Sequence, residues 1–158
     1  VLITDLTLDH ALSVCRRMRQ MDRECLDAAL GVGVEADAFA VDRWQSSGPA
    51  WAGLVDGCPE VIFGLNLTTG WACTAWLVAT DNMRPQTWRK LLRFAGTVRQ
   101  NVLAPGFQFH RHRIEAHVLA DWPGAQELAR HLGMQYEGTR RAAGSGGQSI
   151  EIYAAVTP

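Results

Sequence analysis

The sequence predicts an α/β fold of the α+β kind: a mixed, mostly antiparallel sheet with helices on its faces. Three observations carry this. Three strand-like runs follow one another between residues 51 and 80, joined by tight turn signals. Two later helical segments, opening at Pro85 and Pro123, alternate with strands, which is how crossovers within one sheet read. No repeat, low-complexity tract or interdomain linker interrupts the 158 residues, so residues 1–158 read as one domain with a full core.

Leu2 to Leu6 is a short β-like run. Asp9 is a helix cap candidate, and Ala11, Val14, Cys15 and Met18 fall on one helical face. A break near Arg19-Gln20 precedes Asp22, a second cap candidate, and Cys25, Leu26 and Ala29 give a second short helix closed at Gly31 or Gly33. Residues 35–45 carry a further helical pattern, ended by Ser46-Ser47-Gly48-Pro49. Trp51 to Val55 leads into Asp56-Gly57, a strong hairpin signal, and Glu60 to Leu65 returns. Pro59 stands just before that strand, where a missing donor does least harm. Thr68-Thr69-Gly70 turns into the long apolar run Trp71 to Thr80.

Pro85 opens the longest helix, with Trp88, Leu91, Leu92, Ala95, Val98 and Val102 on one face, and Pro105-Gly106 stops it. Arg113 to Ala120 alternates as a half-buried strand does. Asp121 has the better chemistry to cap the next helix, with Trp122 the other candidate. Ala125, Leu128, Ala129 and Leu132 form its apolar face, and Gly133 fits a C-terminal glycine. Gln135 to Ala142 and Ser149 to Ala155 are the last strands, joined by Gly144-Ser145-Gly146-Gly147, read as a flexible loop. The element order is β-α-α-β-β-β-α-β-α-β-β.

Composition narrows the partners. A hydrophobic content of 47% with 20% charged residues is that of a globular protein. A formal net charge of −1 gives no reason to expect nucleic acid or an anionic membrane surface. No apolar run is long enough to span a bilayer, and the first residues show no signal-peptide pattern. Cys15, Cys25, Cys58 and Cys73 lack C-x-x-C spacing and read as reduced core thiols of an intracellular protein, with no metal site. The six tryptophans read mostly as core, Trp44 being the one placed to line a pocket. His10 and His131 read as helix-surface residues, and His110-Arg111-His112-Arg113 as a surface strand start.

The late helix and strand, Leu132-Gly133-Met134 followed by Glu137-Gly138, resemble a segment of the GCN5-related N-acetyltransferase (GNAT) family. Thr7-Leu8-Asp9 and the hairpin Trp51 to Gly57 are similar to that family's opening, and the element order agrees along the whole chain. Met18-Arg19 with Asp22 and Glu24, and Val78-Ala79-Thr80-Asp81, resemble a bacteriophage branch that includes podophage internal virion proteins.

The resemblance implies an N-acetyltransferase using acetyl-CoA. Its pantetheine arm would lie along the backbone of Val78, Ala79 and Thr80, where that strand parts from Arg113 to Ala120. Its pyrophosphate would sit by Arg84, Gln86 and Thr87, at the N-terminus of the long helix, where free amides and the helix dipole favour an anion. The amine, on a small molecule or a protein, would enter from the side of residues 19–48. Acetyl transfer needs a proton acceptor. Glu115 is the first candidate; His117, on the same strand face, can share the task, and Asp81 is the second carboxylate.

The chain departs from the family pattern in three places. The turn Asn82 to Thr87 lacks the family's glycines, Trp122 stands at its frequent Asn, and Ala129 stands at its frequent Tyr. These departures define the alternative: a catalytically degenerate member of the fold, of phage origin, with a virion or host protein as partner. Localisation follows the reading: cytoplasmic for the enzyme, or virion for the phage protein. A homodimer is compatible with either.

Overall fold

The computed structural model describes residues 1–157. Twelve elements follow one another: β1 (Leu2–Asp5), α1 (Leu8–Arg16), α2 (Gln20–Leu30), α3 (Ala36–Trp44), β2 (Ala50–Val55), β3 (Cys58–Asn66), β4 (Ala72–Ala79), α4 (Pro85–Leu103), β5 (Arg113–Leu119), α5 (Pro123–His131), β6 (Gln135–Arg140) and β7 (Ile150–Val156). The third early helix, α3, is the helical pattern read at residues 35–45, which the expected element order left out. The strands form one seven-stranded sheet, ordered β1-β2-β3-β4-β5-β7-β6. Every neighbouring pair is antiparallel except β4 with β5. The expected mixed, mostly antiparallel sheet is therefore observed.

Helices cover both faces. Ala11, Val14, Cys15 and Ala40 of α1 and α3 pack with Ala52, Ile62 and Val78 on one face. On the other, Leu91 of α4 meets Val61, Phe63 and Ala79, while Val102 of α4 and Ala129 of α5 join Ile114, Val118 and Tyr153. Alternate residues of β4 thus serve opposite cores, as the strand period requires.

Several local details differ from the sequence expectation. Thr7, not Asp9, caps α1, in a capping box with His10. Asp22 lies inside α2 and is buried, so it caps nothing. Trp122 rather than Asp121 precedes α5, without a side-chain cap. The loop read as flexible is hydrogen-bonded to α2: Ser145 N–H donates to the Ala28 carbonyl (2.8 Å) and Ser145 Oγ to the Asp27 carbonyl (2.6 Å). The tryptophans are less buried than expected: Trp71 is 64% and Trp44 45% exposed, and the other four are half-buried. Of the cysteines read as core, Cys15 and Cys73 are buried, Cys25 is half-buried and Cys58, in the first position of β3, is exposed.

The segment before β2 is fixed by close approach. A Cβ on Gly48 would lie 1.6 Å from the Leu65 carbonyl oxygen, a backbone atom that cannot rotate away. Gly48→Ala is expected to destabilise the fold by about 3 kcal/mol. An unchanged thermal midpoint would contradict this.

Candidate active site

β4 and β5 pair at only three positions: Ala72 with Arg113, Cys73 with Ile114, and Thr74 with Glu115. Past these, β4 stays paired to β3 as far as Ala79 with Val61. β5 stays paired to β7 as far as Leu119 with Ile150. Each strand keeps its outer neighbour while the inner edges part, leaving an opening that widens away from Glu115.

At the wide end stands the N-terminus of α4. Arg84 is its N-cap residue without a side-chain cap bond, Pro85 supplies no N–H, and the first turn contains no acid. Gln86 is exposed. Thr87 is buried, and its hydroxyl has no hydrogen-bond partner among the described residues. An uncapped helix start with an adjacent arginine and an unused hydroxyl suits an anion.

The turn before α4 is held by Glu60, which the sequence reading left out. This buried carboxylate accepts from the Thr80 hydroxyl, from Asn82 Nδ2 (3.4 Å) and from Arg17 (3.2 Å). A charge opening the apolar run Val61-Ile62-Phe63 was the available signal. Asp81 lies in the same region, lining an open depression with Asp56, Glu60 and Arg84.

Of the three backbone positions expected to face a cofactor arm, one does so. Thr80 N–H donates to the Glu60 carbonyl, toward β3. Peptide directions alternate along a strand, so Val78 also faces β3, and Ala79 faces the opening. Ala79 is already engaged there. Its carbonyl accepts the Arg19 N–H (2.9 Å), and its N–H lies 3.4 Å from Asp22 Oδ2. The Arg19 guanidinium is paired to Asp22 (2.6 Å) and lies 5.4 Å from the ring centroids of both Trp88 and Trp122. Burial pushes the Asp22 carboxyl above its ordinary range, although Arg19 opposes the shift.

At the narrow end, Arg113, Glu115 and His117 share one sheet face with Thr74, Trp76 and Val78, the face that α1 and α3 cover. Glu115 uses both oxygens: Oε1 accepts from Arg113 Nε (2.6 Å), and Oε2 lies 3.1 Å from His117 Nε2. Arg113 also donates to Glu137 Oε1 (3.0 Å). With Nε2 donating to Glu115, Nδ1 of the half-exposed His117 ring is left as an acceptor.

Arg113 first, and then the His117 hydrogen bond, hold the Glu115 carboxyl below its ordinary range; Arg113 does the same for Glu137. A carboxylate so stabilised is a poor proton acceptor and a good anchor for an imidazole. Its contribution to stability is present above the ordinary carboxylate range, about pH 4.3, and is lost as pH falls through the lowered value. The stability gap between wild type and Arg113→Gln should therefore shrink in chemical denaturation as pH drops from 7 into the acid range. A gap independent of pH would contradict this.

The structure brings Glu115 and His117 together and leaves Asp81 apart from them. Seven residues of extended chain separate Thr74, beside Glu115, from Asp81, or roughly 20 Å. Ala129 is buried in the α5 core, and the hydroxyl of Tyr136, exposed on β6, hydrogen-bonds among the described residues only with Thr139 Oγ1 (2.7 Å). Neither stands in for a thiol-protonating tyrosine. Burial raises the Cys15 and Cys25 thiols to about 12 and Cys73 to about 11, so none of the three is a nucleophile at neutral pH.

No protein-family model and no curated protein matches the sequence. Solved structures do match its fold. A ribosomal-protein-alanine N-acetyltransferase from Brucella melitensis superposes with a TM-score of 0.69 at 13% identity, covering 99% of each chain. RimL, a ribosomal protein acetyltransferase determined in complex with coenzyme A, gives 0.73 at 11% identity, over 98% of this chain and 93% of that one. An acetyltransferase of the GNAT family from Streptococcus pneumoniae gives 0.68 at 16% identity and 99% coverage of both.

The fold is that of the GNAT acetyltransferases. The likeness covers 98–99% of this chain. Arg19, Trp88 and Trp122 line the β4–β5 opening of this chain. Sequence reasoning met Asp22 as a cap candidate and as part of the Met18-Arg19, Asp22 and Glu24 pattern, and did not connect it with the two rings.

Proposed function

We propose that this chain is an acetyl-CoA-dependent N-acetyltransferase acting on an amine of a small molecule or a protein. The observation that carries the proposal is the opening between β4 and β5, with an anion-suited helix start at one end and the His117–Glu115 pair at the other. Acetyl-CoA, when bound, supplies the acetyl group as a reactive thioester. Arg84, the Gln86 amide and the Thr87 hydroxyl fit its pyrophosphate. The Ala79 edge is held by the Arg19 main-chain N–H and the Asp22 carboxylate, so an extended arm fits the opening in the space between Trp88 and Trp122 that the Arg19 guanidinium takes.

His117 Nδ1 takes the proton that the ammonium must lose before its nitrogen attacks the thioester carbonyl. Glu115 fixes the ring's orientation and stabilises the imidazolium that results. Arg113 and Glu137 hold Glu115 in place. The new C–N bond forms as the C–S bond breaks, and the thiolate takes up a proton, so one acetyl group moves and one proton is released overall. Asp81, at the pyrophosphate end, has no part in this sequence.

The engaged Ala79 edge, with Trp122 and the buried Ala129, favours a second reading. In it the chain is a non-catalytic member of the fold, of phage origin, binding a virion or host protein. The first reading places it in the cytoplasm and the second in the particle.

Titration calorimetry with acetyl-CoA and CoA separates the two. The enzyme reading expects binding in the micromolar range, weakened about tenfold in Arg84→Ala. It also expects amine-dependent thiol release across a panel of acceptors. Absence of heat with either ligand, from protein shown to be folded, would overturn it.

A further inference from the structure

We propose that the Arg19 side chain is an internal stopper of the β4–β5 opening, which an entering thioester has to displace. The inference rests on the acetyl-CoA reading above and adds a controlling contact to it.

The observations converge on one place. α2 crosses the opening and is fastened at three points. At its start, the Arg19 N–H and the Asp22 carboxylate engage the Ala79 carbonyl and N–H. In its middle, Cys25 meets the Leu119 backbone at the end of β5. At its end, Ser145 of the β6–β7 loop donates to the Ala28 and Asp27 carbonyls. The two strands that part are therefore bridged by one helix.

Within this bridge the Arg19 guanidinium fills the gap. Trp88 comes from α4, beyond β4, and Trp122 follows β5, so a cation 5.4 Å from both ring centroids spans the opening. Asp22 neutralises it from a side chain only 4% exposed. A planar, hydrogen-bonding group between two aromatic faces occupies the space that an extended chain of amides would take, while the Ala79 hydrogen bonds, made by the Arg19 main-chain N–H and Asp22, anchor the start of α2.

The chemistry makes the contact releasable. Arg19 is not sealed in, at 21% side-chain exposure, and its guanidinium is soluble once withdrawn. Asp22 is the group that resists, because release leaves a buried carboxylate without its partner. A ligand that needs the opening binds only the withdrawn conformers, so its apparent affinity is reduced by their fraction. Removing the stopper should recover that factor.

The test titrates coenzyme A into the full chain as wild type, as Arg19→Ala/Asp22→Asn, and as Arg19→Lys. The double variant removes the stopper without stranding a carboxylate, and Asn keeps an acceptor for the Ala79 N–H. Arg19→Lys keeps the charge for Asp22 but loses the planar stack, and serves if the double variant does not fold. At least tenfold tighter binding is expected for the double variant, and a smaller gain for the lysine variant. Tryptophan emission of the wild type should change on binding, as Trp88 and Trp122 lose the guanidinium, and change less in the double variant. Equal or weaker binding by both variants, with the wild type binding, would overturn the stopper and leave the acetyl-CoA reading standing. No binding by any folded form would overturn both.

Discussion

Replacing His117 by alanine is expected to slow acetyl transfer by about 10²-fold or more, with little change in the KM for acetyl-CoA. The reason is geometric. His117 keeps an acceptor atom, Nδ1, while both Glu115 oxygens are engaged by Arg113 and His117. Glu115→Gln should be slower than wild type for a different cause. Its carboxamide can present an N–H to the ring where an acceptor is needed, and so favours the wrong tautomer. Asp81→Asn should leave the chemical step unchanged, since Asp81 lies at the other end of the opening. Steady-state kinetics with a competent amine checks all three. An Asp81→Asn defect in kcat larger than that of His117→Ala would reverse the assignment.

Arg19→Ala alone should destabilise the fold by about 3 kcal/mol, because it leaves Asp22 charged and buried without a partner. For a domain of this size that is roughly a 10 °C fall in the thermal midpoint. Adding Asp22→Asn should restore most of it, since Asn retains an oxygen for the Ala79 N–H and carries no charge. Simple additivity of the two substitutions in chemical denaturation would show that the pair is not coupled and that Asp22 is stabilised by something other than Arg19.

Much of the fold was legible because its signals are local. Asp56 and Gly57 both adopt positive φ in the β2–β3 turn, at 50° and 84°, and Asp-Gly is the dipeptide that tolerates this. Gly133, at φ 73°, ends α5 where a left-handed residue is required. The apolar stripe of α4 fixed its length and its buried face. The Arg113 to Leu119 alternation placed Glu115 and His117 side by side.

What the sequence hid is set by contacts between distant segments. Asp22 has the composition of a helix cap, and only the approach of Ala79, from another element, makes it a buried partner of Arg19. Glu60 looks like a strand-end charge until Thr80, Asn82 and Arg17 converge on it. The Gly144 to Gly147 loop has a flexible composition, yet Ser145 finds two carbonyls at the end of α2. Asp81 and Glu115 both sit near a strand end in the sequence. Only the register of β4 against β5 shows that they serve opposite ends of the opening.

The most direct measurement is an amide NMR titration of the isotope-labelled protein with acetyl-CoA. Shifts concentrated at Gln86 and Thr87, along Ala75–Ala79 and at Arg19 are expected, with the indole signals of Trp88 and Trp122 moving alongside them. A saturating titration that leaves those positions unmoved, or moves only a surface remote from the β4–β5 opening, would contradict the assignment of that opening as the acetyl-CoA site.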